Sequence, residues 1–261
     1  MKSIPVKVSG NIINELSEKV PSYMFAINEV LKNSYDACAT KIEISYDLDN
    51  HVIQIHDNGH GMSESNLQSL FHIAKSSKTY GKIVCGNRYQ QGEKGLGLLA
   101  VFKFGNRVKW QTTHQSYSGA LSFEVCKNDL TYLDDISDFN IPIKSVEVNE
   151  NFKGTLVKIS CDQDDELDII DKFFISDINT KKFTNLFLDS GVEVTFNLVG
   201  SKVEKFETNT TSLNDALNDS ENLCLFSVYF NSNNGNLVTF KSGKYSTKIN
   251  FNKKNSLKTS L

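Results

Sequence analysis

The chain has 261 residues, 39% of them hydrophobic, and a formal net charge of −3. That length suits one large domain, or one domain with a further piece, around a real core. The charge is too near neutral to create a global field for nucleic acid or an anionic membrane. No apolar run approaches the roughly 18 residues of a membrane helix, and the N-terminal stretch lacks the long apolar segment of a secretory signal. The five cysteines are scattered and contain no C-x-x-C pair. They read as reduced thiols in a cytoplasmic protein, with neither a zinc site nor a disulfide framework.

In chain order, residues 23–38 are predicted as a helix with Ser22 as N-cap, placing Ile27, Leu31, Ser34 and Cys38 on one face and Val30 at its border. Residues 41–47 and 51–57 alternate as two strands around an Asp49-Asn50 turn. A short helix follows at 63–72, capped by Ser63. Residues 75–94 are polar, punctuated by glycine and aperiodic, as in a functional loop or lid. Helical pattern resumes at 95–104. Strands are predicted near 106–114, 118–126, 153–160 and 191–199, and helices at 166–175 and 179–187. This mixed order points to an α+β fold, a two-layer α/β sandwich with one sheet covered on one face by helices. Residues 1–200 form that domain. Residues 201–261 are read as a β-rich extension or the start of a second domain, with strands near 223–230, 236–241 and 244–250. Their lysines, from Lys241 to Lys258, fit a solvated strand face and tail, or a phosphate- or nucleic-acid-facing patch.

Three short stretches carry the chemistry. In the first, Glu29, Asn33 and Asp36 stand at i, i+4 and i+7 on one helix face. This is either a solvated stripe or a site in which an amide oxygen binds magnesium and a carboxylate activates water. In the second, a strand runs into Asp57-Asn58-Gly59-His60-Gly61-Met62. Asn-Gly alone would be a hairpin turn. The second glycine, Gly61, permits close backbone approach to a planar ligand, with Asp57 accepting from an exocyclic amino group and Met62 packing on the ring. In the third, Gly92-Glu93-Lys94-Gly95-Leu96-Gly97 opens an apolar helix and offers amides to an anion. It is not a Walker A loop, because Gly95 follows Lys94. It is not a Rossmann loop, because the preceding segment is polar.

Together these stretches resemble the ATPase superfamily of type II topoisomerases, the ninety-kilodalton heat-shock chaperone, histidine kinases and MutL (GHKL, the Bergerat fold). The likeness covers roughly residues 10–200. Glu29, Asn33, Asp36 and Ala37 match its N-box; Asp57, Gly59 and Gly61 its D-x-G-x-G box; Gly92, Gly95 and Gly97 its second glycine box. Gly154-Thr155 resembles the later G-T-x-V-x-I strand, and Ala74-Lys75-Ser76 the segment before the chaperone's lid. The glycine box most resembles that of bacterial stand-alone, chaperone-like members.

The resemblance implies an ATP site with Asn33 on magnesium, Glu29 as general base and Asp57, helped by Thr155, on the adenine amino group. Gly95, Leu96, Gly97 and Leu98 would give amides to the phosphates. Lys94 and Lys75 either add charge there or are solvated lid lysines; Asp36, Ala37, Met62 and Ser76 complete the set. The resemblance further implies weak ATP hydrolysis by this chain alone and a nucleotide-gated homodimer, with a protein effector as a further partner and work in genome maintenance or phage defence. An ATP-sensing binding module without turnover is the alternative. A histidine kinase is disfavoured, because no histidine precedes Glu29 and kinase members usually lack that glutamate.

Overall fold

The computed structural model describes residues 7–72, 81–86, 88–92, 97–187, 190–201, 206–208, 227–230, 237–242 and 245–250. Helix α1 (Ile12–Glu18) precedes α2 (Tyr23–Asp36), followed by strands β1 (Lys41–Asp47) and β2 (Val52–Asp57) and helix α3 (Glu64–Leu70). Two-residue strands β3 (Ile83–Val84) and β4 (Arg88–Tyr89) form a small hairpin before α4 (Gly97–Val101). Then come β5 (Arg107–Thr113), β6 (Ala120–Cys126), α5 (Lys127–Thr131), β7 (Lys144–Val146), β8 (Thr155–Ser160), α6 (Leu167–Ile175), α7 (Asp177–Thr184), β9 (Glu193–Val199) and β10 (Phe206–Thr208). The last strands are β11 (Ser227–Phe230), β12 (Leu237–Ser242) and β13 (Tyr245–Asn250).

The chain divides into two compact units, Met1–Thr210 and Thr211–Leu261. The first is built on an eight-stranded sheet of order β10-β9-β1-β2-β8-β5-β6-β7. All its neighbours are antiparallel except β1 and β9, which run parallel. The fold is therefore the α+β sandwich with a mixed, mostly antiparallel sheet that the sequence pattern predicts. In the second unit β11, β12 and β13 form a three-stranded antiparallel meander. No helix among the described residues is long and apolar enough to cross a membrane.

The period of two along each strand decides which face is covered. Ile42, Ile44 and Tyr46 of β1 and Ile53 and Ile55 of β2 are buried, as are Val194, Phe196 and Leu198 of β9. Helices α2, α6 and α7 press Ile27, Leu31, Phe174 and Phe183 into the same core. Phe174 stacks on Tyr46 at 4.5 Å between ring centroids and on Phe196 at 5.8 Å. Each such fully buried side chain contributes about 1.5–3 kcal/mol. The alternate residues, among them Glu43, Ser45, Gln54, His56 and Thr195, line a shallow groove on the opposite face.

Helix α2 places the first motif. Ser22 caps it, its hydroxyl oxygen accepting the Phe25 N–H at 3.1 Å. The helix stops at Asp36, two residues before the predicted end. Ala39 N–H reaches the Ser34 carbonyl at 3.1 Å and Cys38 N–H the Tyr35 carbonyl at 3.1 Å. This is a Schellman closure, whose pivot is normally glycine. Here Cys38 occupies it at φ 65°. Helix α3 carries the predicted Ser63 cap, completed as a capping box by Asn66.

Candidate functional site

Asp57 ends β2 with only 5% of its surface exposed. Ser34 Oγ–H donates to its Oδ2 at 3.0 Å and Gly59 N–H to its Oδ1 at 2.9 Å. Burial pushes its carboxyl above the ordinary carboxylate range, while donors from Gly59, Ser34 and the Thr155 amide pull the other way. In the sheet register Asp57 lies opposite Thr155, and Thr155 opposite Thr112. These three buried polar residues thus lie abreast across β2, β8 and β5. Thr112 and Thr155 share a hydroxyl–hydroxyl hydrogen bond of 2.9 Å, and Thr112 Oγ1 accepts the Met62 N–H at 2.9 Å.

The glycines around this row are close-approach positions. Gly59 rests on the end of α2, where an added Cβ would stand 2.5 Å from the Ala37 carbonyl oxygen. That same oxygen accepts the His60 N–H at 2.9 Å. Gly61 has φ +70° and packs its Cα against the Thr113 carbonyl, where no side chain fits. Asn58, exposed at the surface, accepts the N–H groups of Thr40 and Lys41 on its Oδ1 at 2.8 and 2.9 Å. The Asn58-Gly59 segment is therefore not a hairpin turn but a loop tied to the end of α2 and the start of β1.

On α2, Glu29 is mostly buried, and its Oε1 pairs with Lys32 Nζ at 2.8 Å. Asn33 faces the start of α4, where a Cβ on Gly97 would stand 2.8 Å from Asn33 Nδ2. Leu98 directs its side chain into the core. Asp36 accepts the Gln91 N–H at 2.8 Å and the Gly92 N–H at 3.0 Å. Ala37 supplies its carbonyl to the loop after β2. Lys75, Ser76, Lys94, Gly95 and Leu96 lie outside the described residues.

The arrangement has the chemistry to receive a planar base and a cation. A buried carboxylate with neutral hydrogen-bond partners can accept from an amino group, and the glycines keep the approach clear of side chains. Across it, the α2 stripe brings a carboxylate and an amide toward the segment that leads into the glycine box. The donor set fits a hard divalent ion, which takes a carboxamide oxygen and completes its shell with water and phosphate.

Residues 21–155 match the family model described as Histidine kinase-, DNA gyrase B-, and HSP90-like ATPase. The chain belongs to this ATPase family. A stretch of 100 residues is 34% identical to the candidate type II restriction enzyme HgiDII of Herpetosiphon aurantiacus, covering 38% of this chain and 16% of that protein. A further 118-residue match is 31% identical to the DNA mismatch repair protein PMS1 of Arabidopsis thaliana, covering 44% of this chain and 12% of that protein. The chain thus spans a small part of either relative. The crystal structure of the N-terminal domain of a DNA repair protein superposes with a TM-score of 0.53 at 18% identity, covering 84% of this chain and 63% of that one. At that identity the likeness concerns the fold.

Sequence reasoning missed several residues that support the candidate site. Ser34 reads as part of the apolar face of α2, yet a hydroxyl in an apolar stripe needs a partner, and that partner is Asp57. Thr112 sits at an inward position of β5, a similar signal. Arg88 donates to the Ala39 carbonyl at 2.6 Å and covers the Tyr35 ring at 5.2 Å. The expectation of separate thiols is corrected by the structure: Cys38 and Cys85, 47 residues apart, are joined as a disulfide. Their proximity arises because the β3–β4 hairpin folds back onto the end of α2, which no local spacing reveals.

Proposed function

We propose that this chain binds Mg·ATP in the pocket between α2, the Asp57–Met62 loop and the glycine box, and hydrolyses it slowly. The observation that carries the reading is the buried row Asp57, Thr155 and Thr112, faced by glycines where a purine would lie. Asp57 accepts from the adenine amino group, which guanine lacks at that position. Thr155, in the middle of the row, supports Asp57, and Met62 packs on the ring. Asn33 supplies the amide oxygen for magnesium. Bound magnesium neutralises triphosphate charge. Glu29 takes the proton of the attacking water on Oε2, its Oε1 being held by Lys32. Gly97 and Leu98, with Gly95 and Leu96, donate amides to the phosphates.

In this reading ATP closes the 75–94 segment and promotes a homodimer, so the chain is a nucleotide-gated head serving a larger assembly. The relatives named for DNA mismatch repair and restriction favour work on DNA, in genome maintenance or defence. A second reading, an ATP-sensing module with little turnover, is favoured by the Glu29–Lys32 pair, which engages the proposed base in the resting state.

Calorimetry with Mg·ATP and Mg·GTP, combined with a phosphate-release assay, tests the proposal. Saturable heat with ATP and none with GTP, and phosphate release lost in Glu29→Gln, are the expected results. Equal binding of the two nucleotides overturns the assignment of Asp57. Binding without phosphate release leaves the sensing module. Sizing with ADP against a non-hydrolysable ATP analogue tests the dimer.

A further inference from the structure

We propose that Cys38, Cys85 and His60 form a site for one Zn2+ ion when the protein is in its dithiol state, and that the disulfide is the oxidised, metal-free counterpart of that site. The inference does not rest on the nucleotide reading, since none of the three side chains has a role there.

Three separate pieces of chain converge to make the cluster. Cys38 is the pivot that ends α2, His60 lies between Gly59 and Gly61, and Cys85 occupies the tip of the β3–β4 hairpin. The two sulfurs and a ring nitrogen of His60 all lie within 4.8 Å of one another. A tetrahedral zinc site with Zn–S of about 2.3 Å and Zn–N of about 2.0 Å needs its donors about 3.5–3.8 Å apart. The cysteine Cα atoms stand 5.6 Å apart, and χ1 at the two cysteines with χ1 and χ2 at His60 are the rotations available to adjust the donors.

The backbone is strained in favour of this arrangement. Among the described residues only three non-glycine positions have positive φ, and two are Cys38 at 65° and Cys85 at 40°. Such conformations cost on the order of 1–3 kcal/mol each, and glycine would close the α2 terminus without that cost. The strain brings the two sulfurs together. A disulfide needs only these two, whereas the imidazole adds a third donor. His60 is held by its backbone N–H on the Ala37 carbonyl, and its ring is exposed. Two thiolates and an imidazole are a borderline-soft set suited to Zn2+, with water in the fourth position.

The chemistry balances. A dithiol reductant delivers two electrons and two protons to the Cys38–Cys85 bond, giving two thiols and leaving the reductant as a disulfide. Zn2+ then displaces both thiol protons to solvent, and neutral His60 gives a ring lone pair. The bound ion ties together the end of α2, the loop after β2 and the hairpin that precedes the glycine box.

The test is Co2+ titration of the anaerobically reduced, desalted protein without nucleotide. The expected result is a sulfur-to-cobalt charge-transfer band with tetrahedral d–d bands, saturating at one Co2+ per chain and bleached by Zn2+. Cys85→Ser removes the charge-transfer band at that stoichiometry. His60→Ala, at an exposed side chain, weakens binding about 100-fold or more, beyond the roughly 10–100-fold that loss of an outer-shell partner costs. Protein with the disulfide intact gives no band. A reduced wild type without the band, a band unchanged in Cys85→Ser, a band in the disulfide form, or wild-type affinity in His60→Ala each overturns the site.

Discussion

Ser34 donates its hydroxyl to Asp57 Oδ2 across the contact between α2 and β2, at 3.0 Å. The bond joins the helix that carries the stripe Glu29, Asn33 and Asp36 to the strand that carries the proposed purine acceptor. It also explains why a polar residue occupies the buried face of α2. A carboxylate taken out of water is costly unless donors compensate it. At Asp57 the compensation falls short, because burial still dominates and its carboxyl stays above the ordinary range. The fold keeps an acceptor that its own stability does not favour, as expected of a group retained for a ligand.

Asp57→Asn separates those two roles. The amide can accept from Gly59 N–H and donate to Ser34 Oγ, so the pocket stays satisfied without a buried charge. The variant melts no earlier than wild type in a thermal scan. Against adenine it presents a donor where a charge-assisted bond of about 1.5–3 kcal/mol stood, so ATP affinity falls about 10- to 150-fold by calorimetry. An early-melting variant, or one with ATP affinity intact, contradicts the assignment.

The same carboxyl gives opposed pH dependences. Its folded value is raised above the ordinary aspartate value of about 3.8, so the folded state binds more protons in the window between the two. Its stabilising contribution is therefore fully present below about 3.8 and is lost as pH rises through the folded value. Nucleotide binding needs the ionised form and strengthens over that same rise. Exposed carboxylates such as Asp47 and Asp135 have lowered values and act on stability in the other sense. The readout is consequently the difference between wild type and Asp57→Asn in melting temperature and in ATP-analogue affinity. A difference curve flat in both would remove Asp57 from the pocket.

Glu29→Gln keeps volume and removes the proton acceptor. Its ion pair with Lys32 is partly exposed, with side-chain exposures of 14% and 30%. Stability should therefore change by no more than about 1 kcal/mol. ATP affinity stays within a few-fold of wild type, while phosphate release falls about 100-fold or more, the usual scale for a general base. Unchanged phosphate release would show that another group takes the proton.

Two glycines of the site should respond differently to alanine. Gly61→Ala forces a Cβ into the Thr113 carbonyl at φ +70°, so the loop must shift, and denaturant titration should show a loss of about 1–3 kcal/mol. Gly97→Ala meets only the end of the Asn33 side chain, at 2.8 Å. That side chain can give way, so stability changes little while magnesium-dependent ATP binding weakens. A Gly97→Ala protein with normal magnesium dependence would detach Asn33 from the metal.

How much of this was legible beforehand differs by length scale. Apolar alternation marked β1, β2, β5, β6, β8 and β9 to within a residue or two, and Ser22 and Ser63 marked two helix starts, because those signals are local; the two-residue strands β3 and β4 fall inside the stretch 75–94 read as a loop. The short helix α5, which directly follows β6, and the three-residue strands β7 and β10 carry too few residues for any period to show. The parallel pairing of β1 with β9 joins segments about 150 residues apart in sequence, and nothing in either strand names the other. At the site, the motif residues were visible, but their supports were not. Thr112 on Met62, Ala37 beneath Gly59, and Cys38 beside Cys85 are meetings created only by the closed fold.

Asp36 belongs to that group, and its geometry makes a prediction that the motif alone would not. Read from sequence it is a nucleotide-binding residue; in the fold its carboxylate accepts the Gln91 and Gly92 amides at 2.8 and 3.0 Å. It therefore fixes where the glycine box begins relative to α2. Asp36→Ala releases both amides, each bond being worth about 1.5–3 kcal/mol. Hydrogen exchange at Gln91 and Gly92 should accelerate about 10-fold or more while exchange at Gly59 and Met62 stays put, and ATP affinity should fall in parallel. If affinity falls with exchange at Gln91 and Gly92 unaltered, Asp36 acts on the nucleotide itself and not through the loop it holds.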